Sequence, residues 1–167
     1  GQRAASKRGW RAAASVRARR HPRRPRVPLF PLCAPRAIDK GRRKYARLNE
    51  GDDIVLVALV GDDDAVMVAT SDAQALGVKV AEIAVLSGAG KGAMVIKLNE
   101  GERVVGGIIG LAARDAMTVE TEKGKTLDLS LQSLLGDRAD KGHAILRRDR
   151  FARVVLPPPA LPSLEGN

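Results

Sequence analysis

Three Lys-Gly pairs recur along the chain at an almost constant interval. They are Lys40-Gly41, Lys91-Gly92 and Lys141-Gly142, separated by 51 and 50 residues. Glycine lets the backbone come close to an anion and adopt a positive φ, and lysine supplies positive charge. Such pairs can therefore contact phosphate groups, but they also occur in ordinary turns between strands. Both interpretations are open from the residues alone.

The glycine-rich loop at residues 87–92 does not have the pattern of a nucleotide site. A P-loop needs Ser or Thr after Gly-Lys, whereas Gly92 follows Lys91 here, and Val85 stands where the first glycine belongs. The loop also lacks the spacing and the βαβ setting of a dinucleotide site. We predict no nucleotide binding at this loop.

Three consecutive acids, Asp62, Asp63 and Asp64, could hold a divalent cation, because hard cations favour carboxylates. Between two predicted strands, such a run is more typical of a solvated turn. The counterpart at residues 112–115 keeps only one acid, Asp115. We therefore predict a turn here and no metal ligands.

The remaining reactive side chains are sparse. The two histidines, His21 and His143, are too isolated for a zinc site or a catalytic triad. Cys33 is the single cysteine, so it is expected to be inert, and a reducing cytoplasm is the simplest compartment. Trp10 lies among arginines, either as an accidental aromatic or as a residue that stacks on a base. The sequence has no long apolar run that predicts a transmembrane helix, and its start at Gly1 predicts a fragment.

The positions around the Lys-Gly pairs repeat as well. Leu-Asn-Glu-Gly occurs at residues 48–51 and again at residues 98–101. Asp-Ala-Val-Met-Val-Ala-Thr at residues 64–70 is echoed by Asp-Ala-Met-Thr-Val-Glu-Thr at residues 115–121. Repeats of this period indicate an array of small supersecondary units, commonly propeller blades.

Short apolar runs separated by turn residues predict an all-β fold. Aromatic residues are only 2% of the chain, so the core must be aliphatic. Residues 81–86 are expected to be a short helical turn or an extended loop, and the prolines from Pro157 to Pro159 are expected to end the fold. The predicted strands are residues 54–60, 65–69, 74–80, 93–98, 103–109, 116–121, 125–131 and 143–147.

The net charge of +10 is unevenly distributed. Residues 1–47 hold 16 Lys and Arg against one Asp, whereas residues 48–167 hold 13 against 18 Asp and Glu, a net charge of −5. The Arg- and Pro-rich composition of residues 1–37 predicts a disordered segment. Two interpretations of that segment are open: a basic arm that binds polyanions, or a non-native lead-in such as an out-of-frame reading of GC-rich DNA.

The repeats resemble the C-terminal domain of the A subunit of bacterial type IIA DNA topoisomerases, gyrase or topoisomerase IV. Residues 91–106, Lys-Gly-Ala-Met-Val-Ile-Lys-Leu-Asn-Glu-Gly-Glu-Arg-Val-Val-Gly, look like the join between two blades in that family, and residues 62–79 fit its hairpin. The resemblance covers about residues 38–155. It implies a partial β-propeller, a β-pinwheel of about two four-stranded blades, with DNA bent around a basic outer rim. A disordered segment, residues 1–37, and a Pro-rich tail, residues 156–167, would flank these repeats.

The sequence departs from the family in two ways. Gyrase carries a Gln-Arg-Arg-Gly-Gly-Lys-Gly box for chiral wrapping, but the loops at residues 38–43, 87–92 and 138–142 keep only Lys-Gly. Either the boxed blade lies outside this chain, or the chain is topoisomerase IV-like and does not wrap DNA. The breakage-reunion domain with its catalytic tyrosine is also missing, and Tyr45, the only tyrosine, lies in a strand-like context. No catalytic site or cofactor is expected in this chain, so ATP and Mg²⁺ would belong to the parent enzyme.

The resemblance implies that the chain binds duplex DNA without reading bases, because contacts to phosphates carry no sequence information. It would guide DNA during supercoiling or decatenation in the bacterial cytoplasm, with the A-subunit core and the B subunit as partners. The alternative is a non-catalytic protein-interaction module with an unrelated basic arm, which the charge of −5 supports. The residues expected to contact phosphates are Lys40, Arg42, Arg43, Lys44, Arg47, Lys79, Lys91, Lys97, Lys125, Lys141, Arg147 and Arg148.

An array of two units cannot close into a ring, so its end sheets should expose edge strands. Residues 54–60 and 103–109 are the strands most at risk, because they are largely apolar and contain no proline. We predict that the isolated chain is marginally stable and self-associates.

Overall fold

A computed structural model of the chain describes residues 11–18, 29–30, 32–33, 52–86 and 92–156. These ranges contain strands and two 3₁₀ turns, Val80–Glu82 and Gln132–Leu134, but no α-helix, which confirms the predicted all-β class. Within the same ranges, no helix has the length and apolar character needed to cross a membrane. The strands are β1 Arg11–Ala18, β2 Leu29–Phe30, β3 Leu32–Cys33, β4 Asp52–Val60, β5 Asp64–Thr70, β6 Gln74–Lys79, β7 Val85–Leu86, β8 Ala93–Met94, β9 Val104–Leu111, β10 Ala116–Thr121, β11 Thr126–Ser130, β12 His143–Ala144 and β13 Phe151–Val155.

The strands form three larger sheets and one short pair. The N-terminal sheet has the order β4-β1-β3-β7, and β2 pairs separately with β8. The next sheet, which we call the first blade, has the order β12-β6-β5-β9. The last, which we call the second blade, has the order β11-β10-β13. Each blade is built around one hairpin of the sequence repeat, β5/β6 or β10/β11.

The first long strand of each repeat pairs with a strand of the preceding sheet along the chain. β9 opens the second repeat but pairs antiparallel with β5 of the first, from Asp64 opposite Leu111 to Thr70 opposite Val104. β13 pairs with β10 in the same way, and β4 pairs with β1. The blades are therefore interlocked along the chain, and the boundary of a sequence repeat is not the boundary of a blade.

Consecutive residues of β5 are buried. Because alternate residues of a strand point to opposite sides of its sheet, the first blade is buried on both faces. Val66 and Val68 of β5 pack into a core cluster with Val60 of β4. Met67, between them, packs into a second cluster with Met117 of the second blade. Both clusters are mainly aliphatic, as the low aromatic content predicts.

The turns that precede the two hairpins use the same side-chain cap. Asp64 Oδ2 accepts the Gly61 N–H at 2.7 Å, and Asp115 Oδ2 accepts the Leu111 N–H at 2.7 Å. The last of the three consecutive acids therefore stabilises a turn, as predicted. The equivalence also explains why the repeat keeps one acid at this position, since one carboxylate is enough to cap the turn.

A buried threonine holds the tip of each hairpin. Thr70 Oγ1 accepts the Gln74 N–H at 3.3 Å, and Thr121 Oγ1 accepts the Lys125 N–H at 3.1 Å. Both threonines are almost completely buried. The repeat seen in the sequence is therefore a repeat of turn geometry as well as of strand pattern.

The ends of the repeats differ from the prediction. The strand expected at residues 143–147 is only His143–Ala144, and the one expected at residues 93–98 is only Ala93–Met94, with an isolated bridge at Ile96. Phe151–Val155 forms a strand that the sequence analysis did not predict. The length of each of these strands depends on how many backbone groups a strand distant in sequence leaves free for pairing. Local sequence does not contain that information.

The segment predicted to be disordered also differs at the residues that the structure describes there. β1, β2 and β3 are strands, and β1 pairs with β4 from Arg11 opposite Val60 to Ala18 opposite Asp52. The apolar β4 presents backbone groups that need hydrogen-bond partners, and this need overrides the composition of β1. The remainder of residues 1–37 lies outside the described ranges.

The two strands expected at sheet edges do lie there. β4 ends the N-terminal sheet, and β9 ends the first blade. Ile54 and Val57 of β4 are 49% and 66% exposed. Self-association through these strands stays a prediction.

Candidate nucleic-acid interface

The predicted phosphate contacts divide into two groups of six. All six of those in the described ranges are exposed: Lys79, Lys97, Lys125, Lys141, Arg147 and Arg148. Within those ranges, none of the six forms an ion pair with another described residue. The other six lie outside the described residues: Lys40, Arg42, Arg43, Lys44, Arg47 and Lys91.

A contact between two distant segments brings Lys97 and Lys141 together. Ile96 forms a parallel bridge with Asp140, and the Lys97 N–H donates to the Asp140 carbonyl at 2.8 Å. Lys141 follows Asp140 as Lys97 follows Ile96, so the two lysines occupy neighbouring positions. The Ala139 N–H also donates to the Val95 carbonyl at 2.8 Å, which fixes this register.

Arg138 joins the same cluster, although the sequence analysis did not select it. Its Nη1 donates to the Met94 carbonyl at 3.2 Å, across the same pair of segments. The side chain is exposed. Its position three residues before Lys141, in the loop of a Lys-Gly pair, was the available signal.

The glycine of the Lys141-Gly142 pair has a structural use. Gly142 has a φ of +79°, and a Cβ there would lie 2.8 Å from the Ala75 carbonyl oxygen and 3.1 Å from Ile96 Cδ1. The close approach that requires glycine is therefore to β6 of the first blade. Only the lysine of this pair is placed to meet a ligand.

Arg147 and Arg148 lie on the other side of β12, in the link that leads to β13. The Lys123 Nζ donates to the Arg148 carbonyl at 3.0 Å, and the Glu122 N–H donates to the Arg150 carbonyl at 2.9 Å. These bonds hold the link against the hairpin tip of the second blade. The arginine side chains remain exposed.

An open groove of about 460 Å³ lies between this link and the two hairpin tips. Arg150, the third arginine of the link, approaches Asp72 of the first hairpin tip at 3.9 Å. The groove has mixed charge. Its lining residues are Asp72, Glu122, Lys123, Leu146, Arg147, Arg148, Asp149 and Arg150.

Five exposed cations therefore flank the short edge strand β12, and we call them the basic strip. Three of them precede β12 in the sequence and two follow it. β12 is the terminal strand of the first blade, with His143 and Ala144 exposed. The members of the basic strip are Lys97, Arg138, Lys141, Arg147 and Arg148.

The remaining two predicted contacts lie apart from the basic strip. Lys79 ends β6 opposite Ala65, beside the turn that Asp64 caps, and β12 pairs with the other end of β6. Lys125 lies at the hairpin tip of the second blade, where its N–H donates to Thr121. The structure thus places Lys97 beside Lys141 and adds Arg138, while Arg147 and Arg148 follow Lys141 by six and seven residues along the chain.

No protein-family model matches this sequence, and no curated protein matches it. The structure does match solved structures. It superimposes on the crystal structure of the C-terminal domain of DNA topoisomerase IV with a TM-score of 0.73 and 19% identity, over 89% of this chain and 46% of that one. It also matches the E. coli ParC C-terminal domain with a TM-score of 0.53 and 13% identity, over 87% of this chain and 78% of that one.

The fold that these likenesses define is the β-pinwheel of topoisomerase C-terminal domains, as the sequence resemblance implied. The chain spans less than half the length of the topoisomerase IV domain that it matches. The interlocked strands described above are thus a portion of that architecture.

Proposed function

We propose that this chain binds duplex DNA through its phosphates, without reading bases, and guides a DNA segment for a type IIA topoisomerase. The activity, the ATP and Mg²⁺ requirements and the A-core and B-subunit partners would belong to the parent enzyme, in the bacterial cytoplasm. The fold supports this proposal because domains of this architecture are parts of topoisomerases IV.

The observation that carries the proposal is the basic strip. The Ile96–Asp140 bridge places Lys97 beside Lys141, and Arg147 lies six residues further along the chain. Six extended residues reach at most about 20 Å. A length of about 20 Å covers several charges of a duplex, which carries one per roughly 1.7 Å of its axis. Exposed cations that form no ion pair with another described residue can neutralise phosphates at little desolvation cost.

The acids within this region are partly turned toward their own backbone. Asp140 Oδ1 accepts the Lys141 N–H at 3.0 Å, and Asp149 Oδ1 accepts the Arg150 N–H at 2.8 Å. Their negative charge still reduces the positive electrostatic potential around the basic strip. We therefore expect binding that depends strongly on salt and is weak compared with that of sequence-specific proteins.

The test is the salt dependence of duplex binding by the full chain and by the double variant Lys97→Glu, Lys141→Glu. Each phosphate contact contributes about 0.9 to the slope of log K against log salt. We expect the variant to lose roughly two units of slope, because it removes two contacts. Fluorescence anisotropy with a labelled duplex measures this slope, and duplexes of unrelated sequence should bind within a few-fold of each other.

The matched control is Lys79→Glu with Arg114→Glu, which changes the net charge equally at the far end of the first blade. Lys79 is among the phosphate contacts expected from the sequence, but it lies at the end of β6 away from β12 and the basic strip, so this proposal gives it no phosphate contact. Arg114 is exposed in the turn that Asp115 caps. The slope of this control should stay close to that of the unmodified chain. Equal changes in both variants would mean that only net charge matters, and the strip would not be the binding site.

The acidic balance of residues 48–167 supports a second candidate, a protein-interaction module. In that case DNA binding by the full chain would come from residues 1–47, which carry a net charge of +15. Neither double variant would then change the salt slope. That result would favour the interaction module over DNA guiding by the blades.

A further inference from the structure

Arg103 and Arg150 occupy equivalent backbone positions in the two blades, each directly before a long strand, β9 or β13. The Ser71 N–H donates to the Arg103 carbonyl at 2.8 Å, and the Glu122 N–H, 51 residues later, donates to the Arg150 carbonyl at 2.9 Å. The side chains differ, because Arg103 is half-buried whereas the Arg150 side chain is 63% exposed. The fold therefore uses the backbone of Arg150 and leaves its guanidinium at the surface.

The guanidinium of Arg150 forms a loose ion pair with Asp72, at the tip of the first hairpin. Its Nη2 lies 3.9 Å from Asp72 Oδ1, which is too long for a hydrogen bond. By contrast, Arg153 contacts Glu120 Oε2 through Nη2 at 2.6 Å and through Nε at 2.7 Å. Because an exposed, loose ion pair contributes little in water, Arg150 can exchange Asp72 for another anion at low cost.

Arg150 lines the same groove as Arg147 and Arg148, the two members of the basic strip that follow β12. A duplex on the basic strip would therefore bring phosphates to the mouth of this groove. A phosphate there attracts Arg150 and repels the carboxylate of Asp72. A guanidinium can also form two parallel hydrogen bonds to a phosphate, whereas its contact with Asp72 is beyond hydrogen-bond distance.

The other two acids that line the groove do not hold this guanidinium. Asp149 Oδ1 accepts the backbone N–H of Arg150 at 2.8 Å. Glu122 is exposed, and it forms no ion pair with another described residue. Asp72 is thus the acid of this groove whose removal should change the behaviour of the Arg150 side chain most.

We propose that Arg150 is a further phosphate contact for duplex DNA, and that it pairs with Asp72 while DNA is absent. Binding replaces the contact between Asp72 and Arg150 by a contact between Arg150 and a phosphate, next to Arg147 and Arg148. Asp72 therefore lowers the affinity of the basic strip for DNA. This inference rests on the proposed function, because it adds a sixth cation to the same interface.

The first measurement is duplex binding by the full chain with Arg150→Gln, by the same fluorescence-anisotropy titration over salt. Loss of one phosphate contact should reduce the slope of log K against log salt by about 0.9. The matched control is Arg153→Gln, which removes an equal charge from an arginine that Glu120 holds by two contacts. The slope of this control should stay close to that of the unmodified chain.

The second measurement is a double-mutant cycle that combines Asp72→Asn with Arg150→Gln. Asp72→Asn alone should tighten binding by about threefold at fixed salt, the size expected of an exposed ion pair that DNA no longer has to break. In the Arg150→Gln background the same substitution should change the affinity much less, because no pair remains to be broken. Glu122→Gln removes the same charge from the same groove and should show no such coupling to Arg150.

An unchanged salt slope for Arg150→Gln overturns the proposal. An equal gain from Asp72→Asn with and without Arg150 also overturns it, because Asp72 would then act only by repelling DNA. Both results leave the proposed function standing if the double variant Lys97→Glu, Lys141→Glu lowers the slope relative to its control. If that double variant keeps the full slope, the proposed function fails and this proposal fails with it.

Discussion

The two blades share one hairpin design but differ in what surrounds it. Both use an aspartate cap and a buried threonine at equivalent turns. The β5 strand of the first blade is buried on both faces, whereas in β10 only every second residue is buried. The outer edge of β6 is covered by residues 135–145, but that of β11 has no cover in the described ranges.

This comparison shows that the hairpin is a self-contained local unit and that its environment is set by neighbouring repeats. Hydrogen bonds within about five residues define the turns in both copies. The apolar or polar character of each face then reports whether another sheet packs there. A blade with one apolar face is suited to the end of an array, and a blade with two is suited to its interior.

The largest expected effect comes from exchanging the face residues of the two blades. Ala69→Glu places a carboxylate in the buried cluster between the blades and should cost more than about 4 kcal/mol of unfolding free energy. Glu120→Ala, at the equivalent position, removes only an exposed pair with Arg153 and should cost less than about 1 kcal/mol. Urea unfolding followed by far-ultraviolet circular dichroism measures both. Similar costs would contradict the difference between the faces.

A smaller effect is expected from the two glycines that adopt positive φ near the hairpin edges. Gly142→Ala combines a φ of +79° with a clash against the Ala75 carbonyl, so it should cost about 3 kcal/mol. Gly124→Ala has a φ of +77° but nothing within 4 Å, so it should cost about 1 kcal/mol. Thermal unfolding of the two variants gives the order. If Gly124→Ala were the more damaging, the edge of the second blade would be covered as well.

The smallest effect is expected at a feature that the two blades share, the aspartate cap of the turn before each hairpin. Asp64→Ala and Asp115→Ala each remove a carboxylate that accepts one backbone N–H at 2.7 Å. Each should cost about 1 to 2 kcal/mol, between the values typical of a neutral hydrogen bond and of one to a charged group, because both bonds are only partly buried. The two costs should agree closely in chemical denaturation. A clear inequality would mean that the turns differ in environment despite their shared geometry.

The sequence predicted the hairpins well because their information is local. Residues 116–121 were predicted as a strand with the bounds that the structure gives, and the acidic run at residues 62–64 was predicted as a turn. The exposure of Lys97 and Lys141 also follows from local polarity. The partnership of these two lysines does not, because it depends on a bridge between Ile96 and Asp140, 44 residues apart in the chain.

The strand Phe151–Val155 illustrates the same division. It follows three arginines and an aspartate and precedes a proline run, so local composition does not favour a strand there. It forms because β10 offers an edge, with Glu120 opposite Arg153 and paired to it at 2.6 Å. The pairing of β1 with β4, inside a segment predicted to be disordered, has the same origin.

The sequence by itself determined the all-β class, the 50-residue period, the turn chemistry and the separation of charge along the chain. The class and the turn chemistry depend on side chains within one turn or one strand of each other, and the period and the charge separation can be counted directly along the chain. Only the tertiary structure decided which strand completes which blade, which glycine is required by a close approach, and which cations form one strip. Those features arise from contacts between segments far apart in the chain, where the available backbone edges and buried faces, rather than local propensity, select the partner.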